Sequence, residues 1–441
     1  MINKNKKIDS KLLIISSITI GGSLEWFQIG LLIFWPLLIE GMTPGFDVSV
    51  GESTNAVAIL LLILSTFTSG ATRALGAWIF GNEGDEKGRI LAFTHTIYFS
   101  SLVTLLLFGL SFIISYESWT NYYTAIFVVF KFLQGIPAGG EIPGAICYLH
   151  ESSTTSKQPW LSKRFMCSYT LFGPQIGLAM SAVVCLILKA EFPLELLKEH
   201  GWRYVFSISG SLGIIGVVIR KKLHETIKFL EYKSDHKVLH HPVRTLFSKN
   251  FHRVKLGFVL SIFEVVAFSV LSLVPFYFVN PPFELDSISI LYLSLGFSGI
   301  NVILLPTIGF LSSRKMNFPW IKISIWGTIA FSPILLISIM IGNIIFSLII
   351  SFFLLFFLNI QAAILPSIIA EIFPIRLRYS GIAFSFNLCD AILWSAFTGI
   401  CFLFLKNGSP LFILTMPFAA ITFLYGIKRS KSIKKIYKEI K

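Results

Sequence analysis

RALGAWIFGNEGDEKGRI, residues 73–90, is the stretch on which the fold turns. Its middle, GNEGDEKGR, is a polar turn between two apolar runs, 55–80 and 90–114. Each run exceeds the about 20 apolar residues that cross a bilayer as a helix. Within the turn, Gly81, Asp85, Gly88 and Arg89 hold the spacing G-x-x-x-D-x-x-G-R. A carboxylate and a guanidinium four residues apart share one helical face, so they can pair with each other and with groups opposite.

The rest of the chain extends this pattern. Its 441 residues are 54% hydrophobic and 14% charged, with mean hydropathy +0.75. Soluble domains carry about 25% charged residues, so this is a membrane composition. Further apolar stretches of spanning length lie at 12–38, 122–149, 164–188, 203–220, 254–279, 287–311, 320–341, 343–369, 379–404 and 409–427. The expected fold is an all-α membrane protein with twelve transmembrane helices. Only Gly342 and Asn343 mark the turn between the ninth and tenth stretches. Glu25 interrupts the first run and no small-residue cleavage site follows, so that run reads as a retained span.

A net charge of +14 would suit nucleic acid if the basic residues clustered. They alternate instead. Of the 37 Lys and Arg, only Lys189, Lys198, Arg203 and Lys406 fall on one set of loops, and Arg73 and Lys131 lie inside spans. The remainder sit on the other side. This bias puts both termini in the cytoplasm of a bacterial inner membrane protein, with no nucleic-acid partner. The basic amphipathic tail KRSKSIKKIYKEIK is expected to lie on the anionic inner leaflet.

The longest polar interruption halves the chain. The organisation read from it is a six-helix half at 1–220, a basic cytoplasmic linker loop at 221–253, a second six-helix half at 254–427 and a basic tail at 428–441. The halves echo each other. Gly81…Asp85 has a counterpart at Gly309…Ser313, and Glu151…Arg164 has one at Glu371…Arg378. Such offsets near half the length indicate a duplicated, pseudo-symmetric unit. The second copy of the turn, SSRKMN, has lost its acidic residue and its second glycine.

The turn at Gly81–Arg89 resembles the signature loop between the second and third helices of the major facilitator superfamily. Four further stretches resemble its metabolite:proton symporter branch, which includes proline/betaine, α-ketoglutarate, citrate and shikimate carriers. GGSLEWFQIG (21–30) is similar to that branch's E-W-[FY]-D-F run. KFLQGIPAGGEIPGA (131–145) is similar to R-x-x-Q-G-x-x-x-G-G-E-[WY]-x-G-A. GWRYVFSISGSLGIIGVVIRKKLHET (201–226) is similar to G-W-R-x-x-F followed by R-x-x-L-x-E-[ST]. AEIFPIRLRYSG (370–381) is similar to A-E-[LI]-F-P-x-x-x-R-x-[ST]-G. The resemblance implies the major facilitator fold. The chain departs from the branch at Gln28, where the run has aspartate, at Lys131, where it has arginine, and at Glu86 and Ile90 in the turn.

Charge within a span costs about 2.5–3.5 kcal/mol on insertion scales, so ionisable residues there are functional candidates. Glu25, with Gln28 on its helical face, is a proton- or substrate-binding carboxylate, or a partner of Arg73 or Lys131 that locks helices together. Arg73 suits a carboxylate substrate because it offers paired donors, or it pairs with Glu25 or Glu141. Glu141 follows Gly139–Gly140 and precedes Pro143–Gly144, a backbone-soft patch, with Lys131 and Gln134 one to three turns earlier. Asp390 is placed to replace the titratable group missing at Gln28. Glu264 is a similar candidate, nearer a helix end.

A second set reads as gating. Gly81, Asp85, Gly88 and Arg89, with Glu151 paired to Arg164 and Glu371 to Arg376 or Arg378, would form a latch in one conformation only. Gly173–Pro174 and Gly177 fit either an antiporter G-P-x-x-G element or a kinked helix contact. The five cysteines lack metal-ligand spacing and read as small core residues. His224, His236, His240, His241 and His252 read as solvated loop residues rather than a metal site.

GNEGDEKGR lacks the G-K-[ST] ending of an ATP-binding loop, so energy must come from a gradient. The expected function is a secondary active transporter, not an enzyme, working as a monomer without cofactor or metal. It would take up a small organic acid, amino acid or zwitterionic osmolyte with protons, by alternating access. The alternative is an exporter or exchanger without proton symport. A polytopic membrane enzyme or sensor is a remote third reading.

Overall fold

The computed structural model describes residues 4–38, 70–113, 116–153, 158–197, 201–235, 238–280, 282–315, 319–394, the single residues 397, 401 and 404, and 408–429. The tail from residue 430, like residues 55–69 of the second expected span, lies outside the described residues.

Each of the twelve expected spans is met by helix. The first six are α1 (Lys4–Leu38), α2 (70–86), α3 (Arg89–Ile113), α4 (Tyr116–Ser152), α5 (Lys163–Glu191) and α6 (Trp202–Arg220). Two short helices, α7 (Ile227–Asp235) and α8 (Pro242–Lys249), follow. The second six are α9 (Phe251–Tyr277), α10 (Ser287–Arg314), α11 (Trp320–Met340), α12 (Ile344–Ile372), α13 (Arg378–Cys389) and α14 (Thr415–Arg429). Seven stretches among the described residues are long and apolar enough to cross a membrane, within α1, α3, α5, α9, α10, α11 and α12. Shorter apolar helices at Ser207–Arg220 and Pro410–Gly426 accompany them. Exposed Trp78, Tyr98, Ile303, Trp326, Ile345 and Phe418 give the outside an apolar surface suited to lipid.

Local chemistry sets the helix ends. Ser162, Asp286 and Asn343 cap α5, α10 and α12 by accepting from the backbone N–H of Phe165, Ser289 and Phe346. Gly342 turns the chain between α11 and α12 at φ +78°, a conformation that favours glycine. Buried serines on α9 and α11 return their hydroxyls to carbonyls one turn back, as Ser261 does to Gly257 and Ser332 to Thr328. These hydroxyls are thus satisfied inside their own helices, as a lipid environment favours.

Two features differ from the sequence reading. The linker expected as a basic loop contains α7 and α8, because Phe229, Val243 and Leu246 bury one face of each against the helix ends. The eleventh span is not continuous α-helix. After Cys389 it changes to a π-helical turn at Asp390–Trp394, a form frequent at functional positions.

The two halves meet along α5 with α10 and along α4 with α13, while α1 packs chiefly on α5. Gly173 and Gly177 let α1 come close: a Cβ at Gly177 would stand 2.3 Å from the Ser23 carbonyl oxygen. The Ser23 hydroxyl donates to the Gly173 carbonyl at 3.0 Å. This stretch is therefore a helix contact.

Candidate functional site

The ionisable residues gather in two places. In the first, α2 carries Arg73 between a carboxylate of the first half and one of the second. Its guanidinium donates to Asp390 Oδ2 at 3.0 Å and lies 3.7 Å from Glu25 Oε1. Both Glu25 oxygens are buried without a hydrogen-bond partner. The expected pairing of Arg73 with Glu25 is present at ion-pair distance, and Asp390 is a partner that the sequence did not indicate. One turn along α1, Gln28 Oε1 accepts from Gln134 Nε2 at 3.2 Å. The Lys131 side chain lies outside the described residues. A cavity of about 10 Å³, room for one water, is lined by Glu25, Gln28 and Glu141 among others.

Glu141 has a partner different from either expected one. It is held by Arg220, at the end of α6, through both guanidinium nitrogens, one at 2.8 Å. Thr96 also donates to it, at 2.5 Å. The Arg220 guanidinium stacks 3.6 Å from the Phe93 ring centroid. The sequence reading set Arg220 at the membrane surface; it is wholly buried. A long side chain at a helix end reaches inward when a buried carboxylate awaits it. Glu264 is likewise buried, with Oε2 unpartnered, rather than in interfacial water.

The second place is the turn at Gly81–Arg89. Asp85 is fully buried and crosses to the first turn of α13, accepting from the backbone N–H of Tyr379 at 3.0 Å and of Ser380 at 2.9 Å. It also accepts from the Ser380 hydroxyl at 2.6 Å and from Arg89 at 2.5 Å. A carboxylate on a helix N-terminus meets free donors and the positive end of the dipole. Arg89 is spread between Glu151, the Gly84 carbonyl at 2.7 Å and the Ile375 carbonyl of the second half at 2.6 Å. Its guanidinium also lies 4.6 Å from the Phe229 ring of α7. Gly88 has φ +147°, and a Cβ there would stand 2.5 Å from Glu225 Oε2, so both backbone and space call for glycine. Gly81 lies against Ser380, which brings α2 up to α13.

The remaining residues of this set pair mainly across the halves, although Glu151 also accepts from Arg89 of its own half. Glu151 accepts from Arg378 at 2.9 Å and from the Thr226 hydroxyl at 2.7 Å. Glu371 accepts from Lys163 at 2.7 Å. Arg164, expected on Glu151, donates instead to the Ser312 carbonyl at 2.9 Å, and Arg376 is exposed. The eroded copy of the turn makes a neutral version of the same junction, with the Ser313 and Ser162 hydroxyls in contact at the start of α5. Lys163, Thr226 and Glu225 were missed, although KKLHET carries two of them.

Burial alone would raise the Glu151 carboxyl, but Arg89 and Arg378 outweigh it and hold it at about 2 against an ordinary 4.5. A carboxyl depressed on folding contributes stability that is full above its unfolded value and lost as pH falls toward its folded one. The difference in melting temperature between wild type and Glu151→Gln is therefore expected to stay constant from about pH 8 to about pH 5 and to shrink below about pH 4.5. A difference that changes between pH 8 and 5 contradicts this.

Twelve helical spans in two six-helix halves, a charged cluster where the halves meet and a polar latch at one end of that junction define a secondary transporter of the major facilitator superfamily. The sequence profile of the Sugar (and other) transporter family matches residues 14–243, and the chain belongs to that family. It is 28% identical over 393 residues to the proline/betaine transporter of Salmonella typhimurium, covering 85% of this chain and 74% of that one. It is 26% identical over 397 residues to the glycine betaine/proline/ectoine/pipecolic acid transporter of Dickeya dadantii, with the same coverages. In fold it is similar to the proton:xylose symporter XylE, with a TM-score of 0.76, 14% identity and 95% of both chains covered. A human organic anion transporter structure gives a TM-score of 0.65 at 13% identity, covering 95% of this chain and 99% of that one.

Proposed function

We propose that this chain takes up a small zwitterionic osmolyte or amino acid together with protons. It would act as a monomer in a bacterial inner membrane, with both termini in the cytoplasm. The observation that carries the reading is Arg73 held between Glu25 and Asp390 where the halves meet. One buried guanidinium and two carboxylates sum to one negative charge. A proton on either carboxylate makes the cluster neutral and frees guanidinium donors for the carboxylate of a solute. A neutral, loaded cluster costs less to carry through reorientation than a charged one. Glu25 and Asp390 thus take the titratable role that Gln28 lacks, and Gln28 and Gln134 border the path. The names of the relatives support a zwitterionic solute, though those names describe the relatives.

Alternating access follows if the halves 1–220 and 254–427 rock about this cluster, joined by 221–253, with 428–441 on the inner leaflet. Asp85, Arg89, Glu151, Glu371 and Arg378, with Arg164 at the neutral corner, would latch the cytoplasmic side, and Arg376 stands outside that network. The alternative of an exporter or exchanger rests on Gly173–Pro174 and on Gln28, and the first of these packs α5 on α1. Purified protein in proteoliposomes is expected to accumulate labelled proline or glycine betaine when the outside is acidified, and protonophore should abolish accumulation. Uptake indifferent to both treatments would overturn proton coupling.

A further inference from the structure

Beside the charged cluster lie three aromatic rings that the mechanism above does not use. Trp26 follows Glu25 on α1, Phe268 is on α9, and Trp394 ends the π-helical turn that begins at Asp390. The Trp26 and Phe268 rings meet edge to face at 5.2 Å between centroids, and Phe268 and Trp394 lie 5.5 Å apart at 31°. The row joins one element of the first half to two of the second. Any motion that parts the halves therefore parts Trp26 from its neighbours.

Packing alone is a poor account of this row. The Trp26 indole N–H is buried with no hydrogen-bond partner among the described residues, and Trp26 is only 8% exposed. A buried indole donor ordinarily has one, because leaving it unmet wastes its desolvation. Glu264 stands one turn before Phe268 on the same face of α9, and its Oε2 is also buried and unpartnered. Asp390 stands in the equivalent position before Trp394. Rings flanked by carboxylates offer a cation both a π-face and a counter-charge. Arg73, bound to Asp390 at the start of the turn that Trp394 ends, supplies the opposite pole.

We propose that Trp26, Phe268 and Trp394, with Glu264, form the seat for the cationic end of the transported zwitterion, while Arg73 takes its carboxylate. This inference rests on the uptake of a zwitterion proposed above and adds which groups recognise its positive end. A quaternary or secondary ammonium fits such a seat better than a primary one. Its charge is diffuse and weakly hydrated, so an aromatic wall replaces little water.

The test uses the full chain in proteoliposomes and two ligands of one shape. Glycine betaine has a quaternary nitrogen; tert-butylacetate has carbon in its place and no positive charge. Betaine is expected to bind about tenfold or more tightly than tert-butylacetate, the discrimination that a desolvated cation–π contact supplies. Phe268→Leu and Trp394→Leu should each weaken betaine by about tenfold and tert-butylacetate by much less, so that the preference for betaine is lost, and Trp394→Tyr should restore most of the difference. Trp394 is half-buried, so its variants are expected to keep the wild-type melting temperature even if those at Phe268 do not. Equal binding of the two ligands, or a preference that survives Trp394→Leu, overturns the seat and leaves the uptake function standing. If the wild-type protein accumulates neither betaine nor proline under a proton gradient, the uptake reading fails and this inference falls with it.

Discussion

Arg73→Ala is expected to abolish gradient-driven uptake and to destabilise the protein by about 3 kcal/mol, the low end of the cost of removing one partner from a buried ion pair, because Arg73 and Asp390 keep some exposure. The size follows from what remains. Glu25 has no hydrogen-bond partner and Arg73 as its nearby cation, and Asp390 accepts the same guanidinium. Without Arg73, the buried Glu25 and the partly buried Asp390 are left without their shared cation. Arg73→Lys is expected to retain part of the stability and little transport, because an ammonium lacks the planar fork that binds Asp390 while facing Glu25. Arg73→Ala with Asp390→Ala should recover stability relative to the single change without recovering transport. Uptake and detergent-phase melting read the two effects separately. A single alanine variant as stable as wild type would show that the cluster is already hydrated, and the charge argument for coupling would fail.

The second large effect is at the latch. Asp85→Ala removes the acceptor shared by two backbone N–H groups, the Ser380 hydroxyl and Arg89, all in a fully buried position. The loss is expected to disfavour the latched state by about 3–5 kcal/mol, more than a hundredfold in the ratio of closed to open. Cys147 reports it. This thiol is buried beside Glu151, with Sγ 3.6 Å from Oε1. Its labelling by a membrane-impermeant maleimide, read by mass spectrometry, should be slow in wild type and fast in Asp85→Ala. Labelling at an unchanged rate would mean that Asp85 stabilises the fold without governing access.

Much of this was legible in the sequence, and the failures have a common cause. Hydropathy is one-dimensional, so the spans could be read residue by residue, down to the turn at Gly342. The turn at Gly81–Arg89 was legible because its chemistry is local: a backbone that needs Gly88 and an Asp–Arg pair one helical turn apart. Partners across the bundle were not. Arg220 looked like the first residue of a loop because a charge ordinarily ends a span, and nothing near it announces Glu141. Glu151 was matched with Arg164 because the repeat sets them in corresponding positions. A repeat records descent within each half, whereas a latch must join one half to the other, and Glu151 accordingly takes Arg378. The row Trp26–Phe268–Trp394 gave no signal, since aromatic residues make up 15% of the chain and no single ring stands out.

The two corners of the latch differ in reach. At Asp85 and Glu151 the contacts are ionic, and Coulomb attraction fades only as the inverse of distance. At Ser162 and Ser313 they are hydroxyl contacts, which weaken steeply once the oxygens separate beyond hydrogen-bond length. As the halves approach, the ionic corner pulls first and from farther away. The Ser162 and Ser313 hydroxyls add nothing until the surfaces touch, and in the proposed closure they would then fix the register. Closure is thereby steered from one side and seated on the other, a division of labour that two identical copies of the turn would not provide.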